Sequence, residues 1–162
     1  MDSTVVAAAG VRALALARMN LGVREWPAGS NRNPFGAWYG EDGVPWCAIF
    51  VSYCFAEGAG VILGRGHPRG TARGLASVVD LEAWLRTSGQ WVGATEPRRG
   101  DLALFNWDGG VPDHVGIVDR RLAGGRFASI EGNTAIGNDS NGGEVMRRIR
   151  SLSSVDGFGR IE

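Results

Sequence analysis

The stretch Pro45-Trp-Cys-Ala-Ile-Phe-Val-Ser-Tyr-Cys-Phe55 decides how the rest of the chain is read. Polar residues hardly interrupt it from Trp46 to Ala56, and Gly58 offers a stop, so it predicts a helix. A helix that is apolar almost all round belongs in the interior. Cys47 stands at its start, where unsatisfied amides and the helix dipole favour a thiolate, and the same amides can hold an oxyanion. A small buried hydrophobe is the competing reading of a lone cysteine on such a helix. Cys54 lies two turns further on, roughly 10 Å away at 1.5 Å rise per residue. That exceeds the ~7 Å Cα separation a disulfide tolerates, and Cys54 reads as core.

Working outward, Val5, Val6, Ala9, Leu14, Ala17 and Leu21 follow helical spacing up to Gly22. Pro27 to Tyr39 is rich in Gly, Asn and Pro and reads as a long surface loop, as does Gly64 to Gly74, which contains His67. A further helix is predicted over Val79 to Thr87, ended by Gly89. After Pro97 the pattern changes to short β-branched and apolar runs: 101–107, 114–119, 126–131, 144–149 and a last one over 158–161. Turn clusters such as Asp108-Gly-Gly and Ala123-Gly-Gly separate them. Helices first and an antiparallel sheet afterwards is an α+β plan. If 114–119 and 126–131 form a hairpin, His114 and Glu131 share its open end, where the carboxylate can hold the imidazole. A solvated strand-end glutamate and a structural histidine are the plainer alternatives.

Length and composition bound the function classes. The 162 residues suit one domain spanning 1–162. Glycine supplies 26 of them, more than twice the usual ~7%, which disfavours an all-helical bundle. Seventeen basic residues, all arginine, balance 17 acidic ones, so no electrostatic grip on nucleic acid is expected. No apolar run approaches the ~18 residues of a membrane span. The N-terminal run carries Asp2 and is broken by Gly10 and Arg12, so no signal peptide is expected. Two cysteines and two histidines without ligand spacing predict no zinc site.

Four segments, in order, resemble the CHAP domain, the cysteine- and histidine-dependent amidohydrolases and peptidases of bacterial cell walls. Pro45 to Phe55 is similar to that family's nucleophile helix, and Pro97-Arg-Arg-Gly-Asp101 to its Pro-x-x-Gly-Asp strand start. Asp113-His-Val-Gly-Ile-Val118 is similar to its histidine strand, and Ile130-Glu-Gly-Asn133 to its Glu-x-Asn segment. Gly29 to Asn33, Phe35 to Gly40, and Asn141-Gly-Gly143 with the basic residues after it resemble a subgroup found in phage endolysins and actinobacterial proteins.

The resemblance implies a papain-like α+β fold, its central nucleophile-bearing helix packed on the antiparallel sheet. It also implies Cys47 as nucleophile, His114 as general base, and Glu131 with Asn133 as orienting groups. The reaction would be cleavage of a peptidoglycan amide, in the stem peptide, the crossbridge or the muramoyl–alanine bond, through a cysteine thioester. A catalytically silent wall-binding module and a cysteine amidase acting on another substrate are the alternatives. Trp38, Tyr39, Trp46 and Trp107, with Trp26 and Phe35, are candidates to line a substrate groove, packing under long loops being the other reading. Some members bind calcium before the cysteine; here that loop offers only Glu41 and Asp42, too few carboxylates for a site of 6–8 oxygens, and no cofactor is expected. A monomer that waits in the cytoplasm until a holin admits it to the wall fits this picture.

Overall fold

A computed structural model describes residues 6–162. Val5 and Asp2, used above for the first helix and its leading charge, lie outside the described residues. Four helices come first: α1 (Ala9–Met19), α2 (Pro34–Tyr39), α3 (Cys47–Ala59) and α4 (Val78–Thr87). Six strands follow: β1 (Trp91–Gly93), β2 (Leu102–Phe105), β3 (His114–Leu122), β4 (Arg126–Thr134), β5 (Glu144–Ser151) and β6 (Val155–Gly159). They form one antiparallel sheet in the order β1-β6-β2-β3-β4-β5. Among the described residues no helix is long and apolar enough to cross a membrane.

The alternation of β2 shows why the sheet has two dry faces. Leu102 and Leu104 join the core formed with α1, α3 and α4, together with Val115, Ile117 and Ile130. Ala103 and Phe105 point the other way and pack with Val118, Phe127 and Phe158. All four residues of β2 are therefore buried.

The last strand, expected over 158–161, is Val155–Gly159, and three further differences from the sequence reading have a local reason. Residues 34–39 are helical rather than loop, because the Asn33 side chain accepts hydrogen bonds from the Phe35 and Gly36 amides and Pro34 occupies the first turn. Gly58 does not stop α3; it lies inside it, where an added Cβ would come within 3.1 Å of the Arg12 carbonyl and of Leu16 on α1. The stop is Gly60, in the left-handed conformation at φ 68. β1 is a three-residue strand paired with β6, too short to carry a periodic signal.

The contact that seats α3 on the sheet is made by another missing side chain. A Cβ on Gly132 of β4 would lie 2.7 Å from Phe50 Cβ and 2.9 Å from the Trp46 ring. Gly132→Ala should therefore force the start of α3 away from β4 and destabilise the protein by about 1–3 kcal/mol. Denaturant unfolding measures this, and an unchanged midpoint would contradict so close an approach.

Candidate active site

Cys47 is the first residue of α3 and retains 6% of its surface. Trp46, at the cap position, gives no side-chain hydrogen bond to the helix, so the first-turn amides are left for another acceptor. Cys54 is fully buried, and burial pushes its thiol well above the ordinary cysteine range. The two cysteines are not bridged.

His114 opens β3 and is fully buried. Its Nε2 lies 2.9 Å from Glu131 Oε1. Its Nδ1 makes no hydrogen bond of normal geometry among the described residues. Cys47 is close enough to act on the ring electrically. Burial alone would lower the His114 pKa, but the charge and hydrogen bonding of Cys47 and Glu131 outweigh it and raise it to about 9. The imidazole is thus held between a sulfur and a carboxylate, with the sulfur still short of a closed hydrogen bond, as is common before substrate binds.

Glu131 has room to reach His114 because Gly116 lies beneath it; a Cβ there would stand 2.6 Å from Glu131 Cγ. The carboxylate is fully buried and fully engaged. Arg150 donates Nη2 to Oε1 at 2.6 Å and Nε to Oε2 at 2.9 Å, and Ser129 Oγ donates to Oε2. Burial would raise the Glu131 pKa, yet the Arg150 and His114 hydrogen bonds bring it down to about 2. Arg150 is itself 8% exposed, passes Nη1 to Asp139 at 2.9 Å, and lies over the Phe105 and Trp107 rings. Trp107, 39% exposed, in turn stacks beside His114 with ring centroids 5.8 Å apart.

The structure thus gathers Cys47, His114, Glu131 and Trp107, and separates the other candidates from them. Asn133 does not reach the imidazole, whose Nε2 is already taken by Glu131. At φ 59 it sits in the left-handed region, its Oδ1 accepts from the Gly143 amide and its Nδ2 donates to Asn141, so its side chain ties down the β4–β5 loop. Trp46 is fully buried, stacked on Phe35 and directed toward Glu25, and offers no surface to a substrate. Phe35 is buried with it.

Trp38 donates to Glu57 and packs edge-on against Tyr53, while the Tyr39 hydroxyl donates to the Gly74 carbonyl. Tyr53 and Glu57 lie roughly 9 and 15 Å along α3 from Cys47, so Trp38 braces the far half of the helix, and Tyr39 ties α2 to the loop at Gly74. Trp26, by contrast, is 82% exposed. Of the carboxylates weighed for calcium, Asp42 spends Oδ1 on the Asn33 and Gly43 amides. No group of three or more His, Cys, Asp or Glu residues able to hold a metal exists among the described residues.

Arg150 is the residue the sequence reading missed. The register pairs Arg150 with Phe127 and Arg148 with Ser129, on the face that carries Glu131. The one available signal was chemical: a strand glutamate without solvent needs a cation, and β5 supplies arginines at alternate positions.

A helix-borne cysteine facing a strand-borne histidine places the chain among α+β proteins with a papain-like layout. The CHAP domain model matches residues 38–133, more than half of the chain, and the chain belongs to that family. No curated protein matches it by sequence. Solved structures that share the fold include the crystal structure of Ly7917 (TM-score 0.54, 18% identity) and that of Ly7917 with the hydrolysing product of MDP (TM-score 0.50, 19% identity). In both cases 94% of this chain is covered but 62% of the other, so the chain spans less than two thirds of that relative.

The His114 proton is the measurable consequence of this geometry. Ring nitrogen NMR should give a titration midpoint near 9 in the wild type, the imidazolium being lost only above it. Glu131→Gln removes an attraction and should lower the midpoint, whereas Arg150→Met removes a competing cation and should raise it. A wild-type midpoint near the unperturbed ~6.5 would contradict the buried pair.

Proposed function

We propose that this chain is a cysteine-dependent peptidoglycan amidase. The carrying observation is Cys47 at the uncapped start of α3, beside a buried His114 whose far nitrogen is held by Glu131. Membership of the CHAP family supports this reading, as does a relative solved with the hydrolysing product of MDP, which favours an amidase over an endopeptidase.

In this mechanism the Cys47 sulfur attacks the carbonyl carbon of the scissile amide, with His114 having taken the thiol proton. Charge develops on the carbonyl oxygen, and the first-turn amides of α3 are the donors placed to meet it. As the C–N bond breaks, His114 returns the proton to the leaving amine, and a thioester remains on Cys47. Water, deprotonated by the same imidazole, hydrolyses that thioester and restores the thiol. Glu131 stays ionised throughout, fixing the ring so that Nδ1 faces the sulfur and stabilising the imidazolium. Arg150 keeps Glu131 in place. Asn133 acts at one remove, through the loop that it pins. Trp107 and Trp26 are the exposed aromatics available to a sugar-peptide strand, and the biological role is that of a lysin or autolysin.

Cys47→Ser should abolish release of new ends from purified peptidoglycan while leaving the thermal midpoint nearly unchanged. Mass spectrometry of the products should show free amino ends on alanine; ends on a crossbridge residue would mean an endopeptidase. Wild-type turnover by Cys47→Ser would exclude Cys47 as the nucleophile. In the folded wild type, a thiol alkylator should label Cys47 far faster than the fully buried Cys54, and equal rates would count against an activated Cys47.

A further inference from the structure

An open groove of about 720 Å³ lies where the β1–β2 loop meets the far ends of β3 and β6. Five arginines line it, Arg98, Arg99, Arg120, Arg121 and Arg160, beside Glu96. Two of them are committed. Arg160 grips both oxygens of Asp101 at 2.9 and 2.8 Å, and Arg121 pairs with Glu96. The other three face no acid partner: the Arg98 and Arg120 side chains make no ion pair or hydrogen bond among the described residues, and Arg99 only donates to the Asp119 carbonyl. One further carboxylate, Glu162, stands in the adjoining cleft. In a chain whose formal charge is zero, this is a local excess of cation.

We propose that this groove docks a linear phosphodiester polymer at a site separate from Cys47. The inference that such a polymer is part of the wall being cut rests on the proposed function; the binding chemistry does not. Guanidinium presents planar, forked donors that match a phosphate, and it keeps its charge at any working pH. The groove is open rather than enclosed, which lets a chain pass through instead of capturing one small anion. Its lining holds no aromatic ring, so it offers no platform for stacking the bases of a single-stranded nucleic acid. Nor does it carry the apolar face that anchors a protein at a lipid surface. Arg120 stands roughly 20 Å along β3 from His114, at ~3.3 Å per residue, so polymer and peptide substrate would not compete. Arg160, held on the buried Asp101, forms a fixed wall, and Arg98, Arg99 and Arg120 supply the free charge.

The test uses the chain as it stands, with poly(glycerol phosphate) and inorganic polyphosphate as probes. Binding should weaken by roughly 20-fold between about 50 and 200 mM salt, the loss expected for three phosphate contacts on a single strand. Replacing Arg98, Arg99 and Arg120 together by Gln should weaken binding at least tenfold at low salt. Removing three charges elsewhere, at Arg65, Arg69 and Arg126, should weaken it much less. Cleavage of a soluble, phosphate-free peptidoglycan fragment should be unchanged in both variants, which also reports that they fold.

Equal loss in the two triple variants would overturn the groove in favour of net charge. Orthophosphate binding as tightly as the polymers would reduce it to a small-anion site, and stronger binding to duplex DNA or to anionic vesicles at equal salt would assign it to another partner. A chain that binds the polymers through these arginines but cuts no peptidoglycan would leave the groove standing and remove the proposed amidase function. One that cuts but does not bind would do the reverse.

Discussion

Glu131 is an ionised carboxylate with no exposed surface, and a charge in that position persists only because every lone pair has a donor. Three strands supply those donors: His114 from β3, Ser129 from β4 itself and Arg150 from β5. The pairing of the three strands is therefore also the assembly of the site. Arg150 lies over the ring of Trp107, which lies beside His114, so the same guanidinium that holds the carboxylate also steadies the aromatic ring next to the imidazole. Asp139, on the β4–β5 loop, anchors the outer end of this chain by accepting from both Arg148 and Arg150, and the Arg150 hydrogen bond keeps its carboxyl below the ordinary range.

Two absent side chains set the spacing between the layers. Gly116 lets the Glu131 side chain cross β3 to reach the imidazole, and Gly132 lets α3 approach β4 closely. With either position filled, carboxylate and histidine, or helix and sheet, would separate by a fraction of an ångström or more. A cysteine and a histidine borne on different layers depend on such distances being held, because an ion pair and a proton transfer both fail when the partners drift.

The parts of the site carried by local grammar were legible in the sequence: the apolar helix behind Cys47, the strand opened by His114 and the strand holding Glu131. Each is a short run whose pattern and position suffice. What was not legible depends on tertiary contact. Asn33 and Pro34 begin a helix inside a stretch whose Gly and Asn content reads as loop, and Gly58 looks like a helix stop until α1 is found pressed against it. Trp46 beside the cysteine reads as a groove residue, yet it fills the space under Phe35. Arg150 was invisible for a related reason: nothing near it in sequence announces a buried carboxylate nineteen residues away. The Asn133 carried over from the family pattern is close to the site in space, but its side chain is spent on the Gly143 amide and the Asn141 side chain of the next loop.

In the proposed reaction Cys47, beside the buried His114–Glu131 pair, carries a covalent acyl intermediate. Rapid acid quenching of the wild-type chain during turnover of a soluble peptidoglycan fragment, followed by intact-mass and peptide-mapping spectrometry, reads this directly. The expected result is a mass increase equal to the acyl portion of the substrate, located on the peptide containing Cys47 and removed by hydroxylamine. Turnover with no adduct on Cys47 under conditions that trap the acyl-enzyme of a known cysteine hydrolase, or an adduct on another residue, would contradict it.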